Sequence, residues 1–149
     1  MKFETVYEII KIKQIIKEVE TDEKYIIRTP EGAAKVAAQF IGDDDREIFF
    51  VMCLNTKHQV VAVHRAHIGG LYHCIVEPRE IFKSAILNNS RAIIVAHQHP
   101  SQDIYPSKED IDVTKRLAEC GKILGIQLLD HIIVNAKAEY YSFSERGYI

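Results

Sequence analysis

The chain has no tryptophan, only four prolines and only three cysteines in 149 residues. Cys53, Cys74 and Cys120 are odd in number and far apart, and no C-x-x-C pair occurs. A disulfide-built scaffold and a cysteine zinc ribbon are therefore excluded, and buried free thiols in a reducing compartment are expected. No apolar run approaches the roughly 20 residues that span a bilayer, so no membrane partner is expected. The opening MKFETVYEIIKIKQ carries Glu4 and Glu8 and no cleavage-site pattern. A signal peptide is not expected there, and the cytoplasm is the expected location. A long basic run is also missing, and the formal net charge is -2. Bulk charge thus gives no sign of nucleic-acid binding, although composition averages over faces and allows a basic patch on one of them.

What is present is ordinary for a globular domain: 47% apolar and 27% charged residues, with no repeats and no low-complexity tract. The length fits a single domain over residues 1–149, with 1–20 as an added N-terminal strand or arm. A chain of this size hides about two-thirds of its unfolded surface.

The segment VYEIIKIKQIIKEVE (6–20) alternates around Ile10 and Ile12 like a strand, yet its isoleucines also recur at helical spacing; its β-branched richness favours a strand. A helix is expected from Thr29-Pro30, with Thr29 as cap, to about Ile41, followed by the acidic loop GDDDR at 42–46. EIFFVMCLN (47–55) and VVAVHRAHI (60–68) read as a hairpin around the turn NTKHQ, and the glycines at 69–70 break it. LYHCIV (71–76) reads as a short strand, and Pro78 opens the helix REIFKSAILNN. AIIVAH (92–97) reads as a central strand, apolar throughout. A helix over KEDIDVTKRLAECGKIL follows, with Gly125 at its C-terminal cap. IQLLDHIIV (126–134) and EYYSFSE complete the strands, with Tyr140, Tyr141 and Phe143 expected in the packing. Interleaved strands and helices with central hairpins predict an α/β (α+β) fold, a mixed sheet flanked by helices.

The chemistry concentrates in AHQHPSQDIYPSKEDIDVT, residues 96–114. His97 ends a strand, and residues two apart on extended backbone point to the same side, so His97 and His99 can face one ion. Asp110 lies in the first turn of the next helix, and the intervening loop is long enough to bring it back over the strand end. Two neutral imidazoles and one carboxylate suit one Zn2+ per chain, with a fourth position for water whose pKa falls towards about 7. No H-E-x-x-H occurs, so a base must come from elsewhere. Glu47, charged at the head of an apolar strand, is the best candidate, and Ser107 can hydrogen-bond the water or a developing oxyanion. A plainer reading also fits: Ser107-Lys108-Glu109-Asp110 is a capping pattern before an amphipathic helix. The two are compatible, since Ser107 can cap while Asp110 points at a metal.

H-x-H-x7-S-x-x-D resembles the JAMM signature of the MPN-domain metalloproteases, and AHQHPS with PSKEDIDVT resembles its bacterial RadC-like branch. The likeness extends to EIFFVMCLN, VEPREIFK, GIQLLDHIIV and YYSFSERGYI, roughly residues 20 to 149. It implies a cytidine-deaminase-like or MPN fold, zinc on His97, His99 and Asp110, Glu47 as the upstream glutamate and Ser107 as the motif serine. Eukaryotic members of the family cleave isopeptide bonds to ubiquitin; the bacterial branch has no settled substrate and an old association with DNA repair. Two positions depart from the branch's usual H-N-H-P-S-G: Gln98 replaces an asparagine and Gln102 a glycine. Neither is a ligand position, so metal binding is expected to survive while the loop, and with it substrate fit, changes. The helix-hairpin-helix segment of longer members finds no room here, which lessens the expectation of direct DNA binding.

Other histidines carry less. His64, His67 and His73 crowd the hairpin, but His64 and His67 are spaced for a helix and sit in a strand, so a second metal site is not expected. His131 beside Asp130 is expected to be structural or to support a ligand. Asp103, Glu109 and Asp112 read as a solvated acidic surface, favourable at a helix N-terminus. The combined expectation is a zinc-dependent hydrolase, a metallopeptidase or isopeptidase acting on a peptide or protein. The alternative is a non-enzymatic DNA-repair or mobile-element accessory domain that binds a protein or DNA partner. A nucleobase deaminase would need H-x-E and P-C-x-x-C, which are absent.

Overall fold

The computed structural model describes residues 3–69 and 76–149. Helix α1 spans Pro30–Ile41, strand β1 Glu47–Leu54, β2 Val60–Gly69, α2 Pro78–Leu87, β3 Ala92–Gln98, α3 Lys108–Leu124, β4 Gln127–Val134 and β5 Tyr140–Ser142. The strands form one sheet in the order β2-β1-β3-β4-β5. It is mixed: β1 runs antiparallel to β2 and to β3, β3 parallel to β4, and β4 antiparallel to β5. The parallel pair is joined through α3, as a parallel connection requires a crossover.

Period-two alternation splits the core into two layers. Ile48, Phe50, Met52 and Leu54 of β1, with Ile94 and Ala96 of β3, pack against Ala33, Ala34, Ala37 and Ile41 of α1. Phe49, Val51 and Cys53, with Ile93 and Val95, pack on the other face against Ile81 and Phe82 of α2 and Leu117 of α3. β1 and β3 are covered on both faces, which is why both read as continuous apolar runs rather than alternating ones. Burial pushes the Cys53 thiol pKa up, against the opposing effect of the nearby Ser84 and Ser90 hydroxyls, as suits an inert core thiol.

The helix ends follow their capping residues. Thr29 Oγ1 accepts from Gly32 N at 3.1 Å with Pro30 in the first turn. Ser107 and Asp110 form a reciprocal capping box at the start of α3, which Gly125 ends at φ 72°. Gly121 lets α3 approach the chain leading into β4: a Cβ there would meet Ile126 O at 2.5 Å.

Two expectations need correction and one lies outside the described residues. Residues 6–20 form no regular strand or helix, and Val6, Ile9, Ile10, Ile12, Ile15 and Ile16 are exposed. A strand exists through its ladder partner, and this segment has none; its hydrogen bonds across to α2 run between Gln14 and Asn88 side chains. The last strand is three residues long, shorter than EYYSFSE, because the chain turns at Ser142–Arg146 (3.2 Å) and Phe143 folds inward. Tyr140 and Tyr141 are half-buried. The strand expected over 71–76 falls almost wholly on residues 70–75, outside the described residues.

Asp130 ties β4 to β5 beneath the site. Its Oδ1 accepts from His131 N at 2.7 Å and Ser144 N at 3.0 Å, and its Oδ2 from Ser142 Oγ at 2.6 Å. Burial raises its pKa against those three hydrogen bonds. Asp130→Ala leaves buried donors unpaired and should cost roughly 2–4 kcal/mol in urea unfolding, whereas Asp130→Asn, which keeps an acceptor for both N–H groups, should cost about 1 kcal/mol or less.

Candidate metal centre

The sheet register brings the site residues together. β1 and β3 pair antiparallel with Phe49 opposite His97. Continuing that register two residues along each strand sets Glu47 across from His99, on the face that carries α3. α3 supplies Asp110 from its first turn, held there by the capping box. Ligand atoms of Glu47, His97, His99 and Asp110 all lie within 4.8 Å of one another, the one such cluster among the described residues. His64 and His67 form no second cluster there, and His73 is outside the described residues.

Three of these donors are closer still. His97 Nε2 lies 3.2 Å from His99 Nε2, 3.3 Å from Asp110 Oδ1, and His99 Nε2 lies 3.3 Å from Asp110 Oδ2. A tetrahedral ion with bonds of about 2.0–2.1 Å has ligand–ligand edges of roughly 3.3 Å. Glu47 Oε1 stands off at 4.0 Å from His97 Nε2. That gap is too long for a hydrogen bond and short enough for one water to touch both groups.

The protonation pattern fits a cation between these atoms. His99 Nδ1 faces Asp103 O at 2.7 Å. A carbonyl only accepts, so Nδ1 must carry a proton, and in the neutral ring Nε2 is a bare lone pair. Burial would raise the Asp110 carboxyl pKa, but the adjoining imidazoles of His97 and His99 outweigh it and hold the group far below the usual carboxylate range. The same Asp110 contact pushes the His99 pKa up, against its burial. Both shifts have one cause: the negative charge of Asp110 lies against the two imidazoles and favours positive charge beside it. The residues therefore fit a divalent metal, with His97, His99 and Asp110 as holders. Their side chains are 1%, 18% and 14% exposed and that of Glu47 22%, so the cluster opens to solvent on the Glu47, His99 and Asp110 side.

Ser107 is exposed and caps α3, its Oγ accepting from Asp110 N at 3.1 Å while its N–H donates to Asp110 Oδ2 at 2.9 Å. The cap uses an oxygen lone pair and leaves the hydroxyl proton free to donate. His131, on β4 across from Val95, is wholly buried with Nε2 2.7 Å from His97 Nδ1. Its pKa falls well below the ordinary value, through burial first and then the neighbouring His97. Asp130 does not orient that ring; it holds the His131 backbone instead. Asp103, Glu109 and Asp112 are exposed as expected, but the Asp103 carbonyl aims His99. Thr114 was not anticipated, although a hydroxyl one helical turn after Asp110 is the signal that marks it.

The two departures in the loop are structural ties. Gln98 is fully buried; its Oε1 accepts from Ile48 N at 2.9 Å and its Nε2 donates to Asp44 O at 3.3 Å and to Arg46 O. It thereby clasps the chain on both sides of Glu47. Gln102 has φ 68°, the left-handed region where glycine is at ease. Its side chain compensates by donating to Gly42 O at 3.2 Å and accepting from Ala136 N at 2.7 Å.

A mixed five-stranded sheet between helices, with two histidines and a glutamate at strand ends and an aspartate on α3 in one cluster that could hold a metal ion, is the architecture of a JAB/MPN-like domain. The RadC-like JAB domain family matches residues 27–148, and the chain belongs to that family. It is 45% identical over 140 residues to a UPF0758 protein of Geobacillus sp. strain WCH70, covering 94% of this chain and 62% of the relative. A UPF0758 protein of Bacillus pumilus is 46% identical over 129 residues, 87% of this chain and 57% of the relative. YsxA of Bacillus subtilis strain 168, also a UPF0758 protein, is 41% identical over 134 residues, 90% of this chain and 58% of the relative. The chain thus spans about three-fifths of the length of these curated relatives.

Gln102 gives a test of the loop. Gln102→Ala loses the amide bonds and keeps the left-handed strain, so it should be less stable than Gln102→Gly by about 1 kcal/mol in urea unfolding. Equal stability of the two variants would show that residue 102 is not held at positive φ.

Proposed function

We propose that the protein is a zinc-dependent hydrolase of amide bonds, a metallopeptidase or isopeptidase, with His97, His99 and Asp110 as zinc ligands. The observation that carries this reading is the convergence of three donor atoms at 3.2–3.3 Å with a fourth carboxylate 4.0 Å away. Zinc, when bound, supplies a Lewis acid for the scissile carbonyl and brings a water's pKa towards about 7. Borderline-soft zinc suits two imidazoles and one carboxylate better than magnesium or calcium, which favour oxygen cages.

The chain's own residues do the rest. Glu47 accepts the proton of the attacking water and returns it to the leaving amine, the two halves of general acid–base catalysis. Gln98 steadies this base by fixing the backbone of residues 44, 46 and 48 around it. The free Ser107 hydroxyl proton donates to the oxyanion of the tetrahedral intermediate, a stabilisation realised only as charge develops. Partial exposure of Glu47, His99 and Asp110 favours an extended peptide or protein chain over a small molecule sealed inside. No helix among the described residues is long and apolar enough to cross a membrane.

The test is a screen of peptide and isopeptide substrates with zinc-loaded native protein, followed by Glu47→Gln. On any substrate the native protein cleaves, Glu47→Gln should lower kcat by about 10²- to 10⁴-fold while retaining the native zinc content. Full activity in that variant would remove Glu47 as the base. Absence of cleavage across the screen, with DNA binding that weakens steeply with salt, would favour the DNA-partner reading instead.

A further inference from the structure

Resting on the metal reading above, we infer that His131 and Thr114 are positioning residues that lock His97 in its Nδ1–H form and keep its Nε2 lone pair aimed at the metal. The direction of each hydrogen bond follows from one end of the chain. Thr114 Oγ1 lies 2.7 Å from Asp110 O and 2.6 Å from His131 Nδ1. The Asp110 carbonyl can only accept, so the single Thr114 hydroxyl proton goes there. His131 Nδ1 must then be the donor to Thr114 Oγ1. His131 is wholly buried, and its ring meets His97, Thr114, Phe49 and Phe143, with no carboxylate in these contacts; an uncompensated charge there would be costly, so its Nε2 carries no proton. The 2.7 Å contact between His131 Nε2 and His97 Nδ1 therefore needs its proton on His97 Nδ1. The neutral His97 ring is left with a bare Nε2, the atom that meets His99 and Asp110.

Two features make this a built device. The His131 ring is clamped by Phe143, stacked at 4.6 Å and 13°, and by the edge contact of Phe49 at 5.4 Å, so it has little freedom to turn. The relay also closes on itself. It leaves ligand His97, crosses β4 and α3, and ends on the backbone carbonyl of ligand Asp110. One hydroxyl on α3 thus sets the tautomer of a ligand on β3 and holds the turn that carries the other ligand. Ligand histidines commonly donate their second N–H to a carboxylate, a carbonyl or water; here a second histidine takes that place, so the orientation has to be enforced one step further out, by Thr114.

The test has two arms. Imidazole 15N–1H correlation spectra of the metal-free native protein should show protons on Nδ1 of both His97 and His131. Zinc affinity, measured by competition with a chromophoric chelator, should fall about 10- to 100-fold in Thr114→Val and stay close to native in Thr114→Ser, which keeps the hydroxyl. His131→Gln, whose amide can accept from His97 and donate to Thr114, should retain more affinity than His131→Phe, which can do neither. A proton on His97 Nε2 in the native spectrum overturns the proposal, including in the event that Thr114→Val does not fold. So does a folded Thr114→Val that binds zinc as tightly as native. A native protein that takes up no zinc overturns the metal reading itself, a failure distinct from either of these.

Discussion

Two imidazole nitrogens at the end of β3 and a carboxylate from the first turn of α3 are held 3.2–3.3 Å apart, and the rest of the site is arranged around that constraint. Two imidazole lone pairs and an ionised carboxylate do not gather unless the fold forces them or a cation draws them together. The fold does the forcing from several directions. The β1–β3 register fixes both histidines relative to Glu47, the capping box fixes Asp110, and the Asp103 carbonyl fixes the ring of His99.

The elements that supply these groups differ in rigidity. β3 is covered by helices on both faces and paired on both edges, so His97 is set by the core. His99 and Glu47 lie just beyond or at strand ends, and they are steadied by polar ties instead of apolar packing. Gln98 and Gln102 bind the loops around residues 42–48, 102 and 135–136 into one frame. A core histidine, loops fastened by buried amides and an open side between Glu47 and Asp110 give a centre that is rigid at its base and accessible at its mouth.

Much of this was legible in the residues. The spacing of His97, His99 and Asp110 announced the cluster because strand and helix periodicities make it geometrically demanding. Glu47 was found as a lone charge at the head of an apolar strand, and the helix boundaries followed Thr29, Pro30, Pro78, Ser107 and Gly125. Less legible were features that depend on partners distant in sequence. Residues 6–20 have strand-like composition, but pairing is a tertiary fact, and no ladder forms there. Gln98 and Gln102 looked like local departures, and only the fold shows that their amides reach residues 44–48, 42 and 136. Thr114 looked like any helix residue until β4 placed His131 against it.

The most direct measurement is metal content by mass spectrometry on purified native protein and on Asp110→Ala, after mild chelation and zinc re-addition. The geometry predicts about one zinc per chain in the native protein and loss of most of it in the variant, because two histidines alone leave a tetrahedral site half built. A native protein without zinc, or a folded Asp110→Ala that holds as much as native, would contradict it, and the residues 96–110 would then be a strand end and a helix cap and nothing more.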